Sequence, residues 1–293
     1  MNDLYGIDPA APASVRDVAD ILKLFRSGEG RFIAACPSNW ASVVAKSNRW
    51  TDAQKHVVMA YAEQIRRVVL PLRSSVSASV WSENVPRLRA EGVEYFLGVD
   101  GCTTPINPLS AALEDPNAFA DARGDHIPRQ VSDYVRAVDP LLMLSTKIVL
   151  VDPFFGLWRR NRYKDVVPDT LRRKVLAALL ARAAQLRRVA CFKIFLSEDA
   201  LPDDHMGKDF YREFQRIANA ADAGRIELLF EVLENRDEGD QHARYLLGNY
   251  AGLQFDHGFA IDSTSDVKAK NHVHWMSESE LSPLLDRFMI ENA

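Results

Sequence analysis

His242 and Arg244 stand two residues apart in the stretch QHARYLLGNY. On an extended strand that spacing turns both side chains to one side, while Ala243 and Tyr245 face the other. An imidazole beside a guanidinium makes a site for an anion, and arginine can grip a phosphate through a bidentate fork that lysine lacks. The plainer alternative is that the two residues pair with nearby acids such as Asp240 or Asp152 at a strand edge. Three more histidines follow, His257, His272 and His274, and the last two again share a strand face. Imidazole suits zinc and other transition ions. No cysteine lies near, however, and neither HxxxH nor HExxH spacing occurs, so the sequence assigns no metal and no cofactor. Gly258, in the triplet DHG, would allow close backbone approach to a ligand, but a hairpin turn or bulge explains it as well, and the turn is the favoured reading.

A second cationic feature occupies residues 156–174. Arg159, Arg160, Arg162, Lys164, Arg172, Arg173 and Lys174 stand against Asp165 and Asp169, so seven minus two gives a local charge of +5. The segment follows a strand, which is where open α/β sheets place ligand loops, and Trp158 and Tyr163 could stack on bases there. The other reading is a solvated helix start with the aromatic residues as anchors. Residues 198–240 carry the opposite sign, 13 acidic and 5 basic for a net −8, the mark of a solvated face or of a surface that docks a protein partner. Phe32 and Trp40, in GRFIAACPSNW, are expected as a buried pair; exposed, they would mark an interface.

The elements that must position these groups are clearest in the second half of the chain. TKIVLVDPFF reads as a strand ended by proline, DTLRRKVLAALLARAAQLRR as a helix and VACFKIFLS as a second buried strand. MGKDFYREFQRIANAADAG is a further helix closing on Gly224, and RIELLFEVL a third strand. Helices of this length between strands predict parallel neighbours with right-handed crossovers, so strands beginning near Lys147, Val189 and Ile226 should lie side by side. ARYLLGNY, GLQFDHGFAI and NHVHWM then add strands without helices between them, before a last helix capped by Ser277 or Ser279. Earlier in the chain, residues 14–26 make an amphipathic helix after a Ser14 cap, and a second helix begins at a Thr51 cap. GRFIAACPSNW is a brief extended segment and VEYFLGVDG a strand and turn, while EDPNAFADARGDHIPRQ, polar and broken by proline, reads as a loop.

Length and composition bound the class. At 293 residues, with 47% hydrophobic and 26% charged residues, the chain is a globular protein of two expected domains, not a fibrous or disordered one. Its 36 basic and 40 acidic residues give −4, so no global basic field advertises nucleic acid and any such binding must be local. No run of 18 apolar residues suggests a membrane span. Cys36, Cys102 and Cys191 lie far apart, and the start MNDLYGIDPAAP lacks the regions of a signal peptide, so a reducing cytoplasmic setting is expected.

The H-x-R-Y-L-L stretch at His242, followed by G-L-x-F-x-x-G-F from Gly252, resembles the phospholipase D superfamily. The likeness is strongest to its small branch similar to the C-terminal phospholipase D-like module of MIT-domain proteins. It spans residues 145–293. The resemblance implies that His242 matches the nucleophilic histidine of the family's H-x-K, that Arg244 takes the place of the lysine, and that the usual aspartate falls near Asn249. Family members bring two copies of the motif to one site, and this chain shows one. Cleavage through a phosphohistidine needs one group to attack and another to protonate the leaving oxygen, so a single HxR supplies half, while the arginine keeps the affinity for phosphate. The expectation is an α/β chain: a mainly helical N-terminal region over 1–140 and a phospholipase D-like domain over 141–293, its mixed sheet flanked by helices. His242 and Arg244, with Arg159, Arg160, His257 and Asn249, are expected to hold the phosphate of a nucleic acid or phosphorylated ligand without turnover, as a binding protein or a subunit of a larger assembly. The rival is a phosphodiesterase or nuclease with His242 as nucleophile, its site completed in a homodimer.

Overall fold

The computed structural model describes residues 2–72, 80–103, 105–115, 118–119, 123–160, 163, 165–201, 206–233, 244–259, 261 and 269–288. The chain divides into two compact units, Met1–Arg123 and Gly124–Ala293.

The N-terminal unit holds more helix than strand, as expected, but a sheet that the sequence did not announce organises it. Strands β1 (Asp3–Ile7), β2 (Arg31–Ala34), β3 (Val69–Leu70), β4 (Tyr95–Gly98) and β5 (Asn107–Pro108) lie parallel in the order β3-β2-β1-β4-β5. Helices α1 (Val15–Leu24), α2 (Trp40–Ala45), α3 (Asp52–Ile65), α4 (Val85–Ala90) and α5 (Leu109–Glu114) connect and cover it. The anticipated caps are present: Ser14 with Asp17, and Thr51 with Gln54, each close a reciprocal capping box. Phe32 and Trp40 are both buried, and the Trp40 indole donates to the Ile7 carbonyl at 2.6 Å, so this pair belongs to the core.

The C-terminal unit begins at β6 (Gly124–Pro128) and α6 (Val131–Leu144) and continues through β7 (Lys147–Val151), the hairpin β8 (Trp158–Arg160) and β9 (Val166–Pro168), and α7 (Thr170–Leu186). Then come β10 (Cys191–Ser197), α8 (Met206–Ala220), β11 (Glu227–Leu233), β12 (Tyr245–Leu247), β13 (Gly252–Phe255), β14 (Lys270–Trp275) and α9 (Glu278–Arg287). Seven strands form one mixed sheet in the order β11-β10-β7-β12-β13-β14-β6. The three strands β7, β10 and β11 are parallel neighbours, as their alternation with helices predicts, with the largely exposed β11 at the sheet edge, and the later strands pair antiparallel. Strand alternation gives the sheet two buried faces. Ile148, Leu150, Phe192, Ile194, Leu246, Phe255 and Val273 line one, where Tyr134 of α6 and Phe214 of α8 meet Phe255 and Phe192. Val149, Val151, Phe195 and Leu247 line the other, beneath Leu281 and Leu285 of α9. Ser277 caps α9, with Glu280 completing the box.

The expected boundary at 140 moves to 123/124. Pro140 lies inside α6, and that helix persists because Tyr134, Ala137, Val138, Leu141 and Leu142 are all buried, a packing gain that outweighs the lost amide donor. The segment GDHIP, read as loop, is β6, which pairs with β14 from Gly124↔His274 to Pro128↔Lys270. Among the described residues no helix is long and apolar enough to cross a membrane.

Candidate anion-binding site

Asp152 directly follows β7 and is 3% exposed. Its Oδ1 accepts the Phe154 amide at 3.0 Å, and its Oδ2 accepts the Phe259 amide at 3.4 Å. Because β12 runs antiparallel to β7 with Tyr245 opposite Val151, the preceding residue, Arg244, arrives beside Asp152. The Arg244 guanidinium is held twice: Nη1 donates to the Asp256 carbonyl at 2.9 Å, and the group lies 5.4 Å from the centroid of the Phe154 ring. Burial raises the pKa of Asp152 above the ordinary aspartate value, against the opposing pull of the two amides and of the Arg172 and Arg244 charges. A carboxyl pushed toward its neutral form competes less for the charge of Arg244.

Gly258 covers this pair. Its φ of +60° is left-handed, and a Cβ there would sit 2.5 Å from Asp152 Oδ2 and 2.8 Å from Arg244 Cδ, so glycine alone lets the turn lie this close. Gly258 is a turn residue, as favoured, and the close backbone approach it allows is to the side chains of Asp152 and Arg244. A buried polar network pins the turn from below. Asn271 Oδ1 accepts the His257 amide at 3.0 Å, and its Nδ2 donates to the Gly258 carbonyl at 2.7 Å and to the Tyr134 hydroxyl at 2.8 Å. The Tyr134 hydroxyl in turn donates to the Gly258 carbonyl at 3.2 Å.

The expected site residues therefore separate. Arg244 bonds the 256–259 turn at the Asp256 carbonyl, and His257 is exposed on that turn. His242 and Asp240 lie outside the described residues, as do Arg162 and Lys164. Arg159 is exposed on β8 with Arg160 after it, and no hydrogen bond or ring contact ties Arg159 to Arg244 among the described residues. Asn249 does not share the site. It stands at the other end of β7, where its Oδ1 accepts the amides of Thr146 at 2.8 Å and Lys147 at 3.2 Å, because the antiparallel β12 has by then run the length of its neighbour. Asn249 staples a strand start.

The cationic stretch 156–174 is also partly consumed. Asp169 caps α7 through the Leu171 and Arg172 amides and pairs with Arg172 at 3.4 Å. Arg173 bridges to Glu213 at 2.8 Å, donates to the Leu157 carbonyl and lies over Trp158, which makes that tryptophan an anchor. The sequence reading weighed Asp152 only as an ordinary partner, and it did not single out Phe154, Tyr134 or Asn271. The carboxylate-proline pair Asp152-Pro153 at the end of a buried β-run was a usable signal for the first; nothing local marks Asn271.

No protein-family profile matches the chain, and no curated protein matches it. Among solved structures it is similar to Nuc from Salmonella typhimurium, described as a phospholipase D family member, at 12% identity and a TM-score of 0.34, over 57% of this chain and 91% of that one. Likeness at that level places no residue of this chain.

Proposed function

We propose that the C-terminal unit binds a phosphate group, of a nucleic acid or of another phosphorylated ligand, at Arg244 and does not turn it over. One observation carries this reading: the Arg244 guanidinium is fixed by a carbonyl and a ring, and the carboxylate beside it is driven by burial toward its neutral form. A guanidinium already oriented loses little freedom on binding, so more of each charge-assisted contact goes to affinity. His257, exposed on the same turn, and Arg159, exposed on β8, are the further groups offered to the ligand.

The experiment is fluorescence anisotropy with a short single-stranded oligonucleotide at about 50 mM salt, where phosphate contacts are strongest. Arg244→Ala is expected to weaken binding by about 1 to 3 kcal/mol, the range for a charge-assisted contact. Charge reversal at Arg159 and Arg160 is expected to flatten the salt dependence. The parent should leave bis-p-nitrophenyl phosphate intact. No binding by the parent would defeat the proposal, and hydrolysis that disappears in His242→Ala would replace it with the nucleophilic reading.

A further inference from the structure

His272 and His274 alternate with buried Asn271, Val273 and Trp275 on β14, so both imidazoles stand on the same side of the sheet. The chain leaving β13 brings Asp256 to them, with its amide bonded to the His272 carbonyl at 3.1 Å. The donor atoms of Asp256, His272 and His274 all lie within 4.8 Å of one another, and His272 Nδ1 is 3.5 Å from Asp256 Oδ2. His274 Nδ1 is buried without a hydrogen-bond partner, although buried polar atoms in native folds nearly always find a protein group, a water or an ion. On the edge strand β6, Gly124 stands opposite His274. A Cβ there would lie 3.2 Å from His272 Nε2 and 3.3 Å from His274 Cβ, so the strand is reduced to backbone where the imidazoles need room.

We propose that Asp256, His272 and His274 form a binding site for one divalent transition ion of the zinc class. Two imidazoles and a carboxylate are the donors such ions take, whereas calcium and magnesium prefer oxygen throughout. Tetrahedral bonds of about 2.0 to 2.1 Å put donors about 3.4 Å apart, so the cluster must close by about 1.4 Å at its widest, a movement within reach of the exposed Asp256 side chain. Three protein donors leave a fourth position to solvent. The site is independent of the phosphate reading: Arg244 uses the backbone carbonyl of Asp256, and the ion would take its carboxylate. The sequence concealed it because an HxH pair has no third ligand until the register of β13 on β14 supplies one.

The test uses the full chain, stripped with a chelator and then titrated with Zn²⁺ by calorimetry and with Co²⁺ by visible absorption. One ion per chain is expected, with d–d bands from Co²⁺ and a rise in the unfolding midpoint on adding Zn²⁺. His272→Ala and His274→Ala should each weaken binding at least about tenfold and abolish the midpoint shift, while His56→Ala, at an exposed histidine of the N-terminal unit, leaves both unchanged. Equal unfolding midpoints without metal separate a lost ligand from a damaged fold; His274→Gln replaces His274→Ala if the latter fails to fold. Absence of an ion bound more tightly than about 100 µM, or affinity unchanged in both histidine variants, would overturn the site.

Discussion

Asp152 follows β7 in surroundings that oppose its own charge, and that opposition is measurable. Its native pKa is raised, chiefly by burial, above the value it has in the unfolded chain. Between those two values the native state holds a proton that the unfolded state has released, so the contribution of this residue to stability is full at low pH and is lost as pH rises through the native value. Asp152→Asn removes the titration. It also removes the acceptor for the Phe259 amide, a loss that does not vary with pH. Urea unfolding of parent and variant from about pH 4 to about pH 8 should therefore show the stability difference moving in favour of the variant as pH rises, while all other titrating groups cancel. Parallel curves would mean that the carboxylate is ionised without penalty, and the claim that it spares the charge of Arg244 would fail with it.

The 256–259 turn is the element that brings the site together, and Asn271 holds it from a position on β14 that is 0% exposed. Asn271→Ala strands the His257 amide and leaves the Gly258 carbonyl and the Tyr134 hydroxyl only their bond to each other, and should lower stability by about 2 to 4 kcal/mol. Tyr134→Phe leaves Asn271 its bond to Gly258 and should cost about 1 kcal/mol. Thermal unfolding measures the order of the two, and faster hydrogen exchange at the His257 amide in Asn271→Ala would place the damage in the turn; a reversed order would show that the tyrosine is the true support. Elements whose signal is local were legible in the sequence. The parallel trio β7, β10 and β11 stood out as long apolar runs separated by helices, and the caps at Ser14, Thr51 and Ser277 as residue types. Elements that exist only by pairing were not. Two-residue β3 and β5 have no period to detect, and β6 is an edge strand of mostly exposed residues ending in proline. The site divides in the same way: Arg244 was visible by type, whereas Asp152, Asn271 and the ligand set around His272 depend on strand register. Asn249 was misplaced because a motif position says nothing about which end of a sheet it reaches.

At the scale of the whole chain, charge and boundary both had to be read in three dimensions. The +5 of residues 156–174 and the −8 of residues 198–240 partly cancel across α7 and α8, where Arg173 meets Glu213, and Glu231 is further engaged by Lys193 from the neighbouring strand. Among the described residues, each stretch has part of its charge paired. The boundary makes a sharper claim. A fragment starting at 124 keeps β6 against β14 and the whole of α6, so it should fold alone, with cooperative urea unfolding and dispersed amide resonances. A fragment starting at 141 loses β6 together with Tyr134, Ala137 and Val138, all three buried, so it uncovers the edge of β14 and deprives Asn271 of its hydroxyl partner. Burial of Tyr134, Val138 and Ile127 alone is worth about 1.5 to 3 kcal/mol each, a large share of the roughly 5 to 15 kcal/mol that holds a domain folded. The shorter fragment should therefore show no cooperative transition, and its bare strand edge should make it aggregate. Equal unfolding midpoints for the two fragments would return the boundary to 140, and failure of the longer one would mean that the C-terminal unit depends on the residues before it.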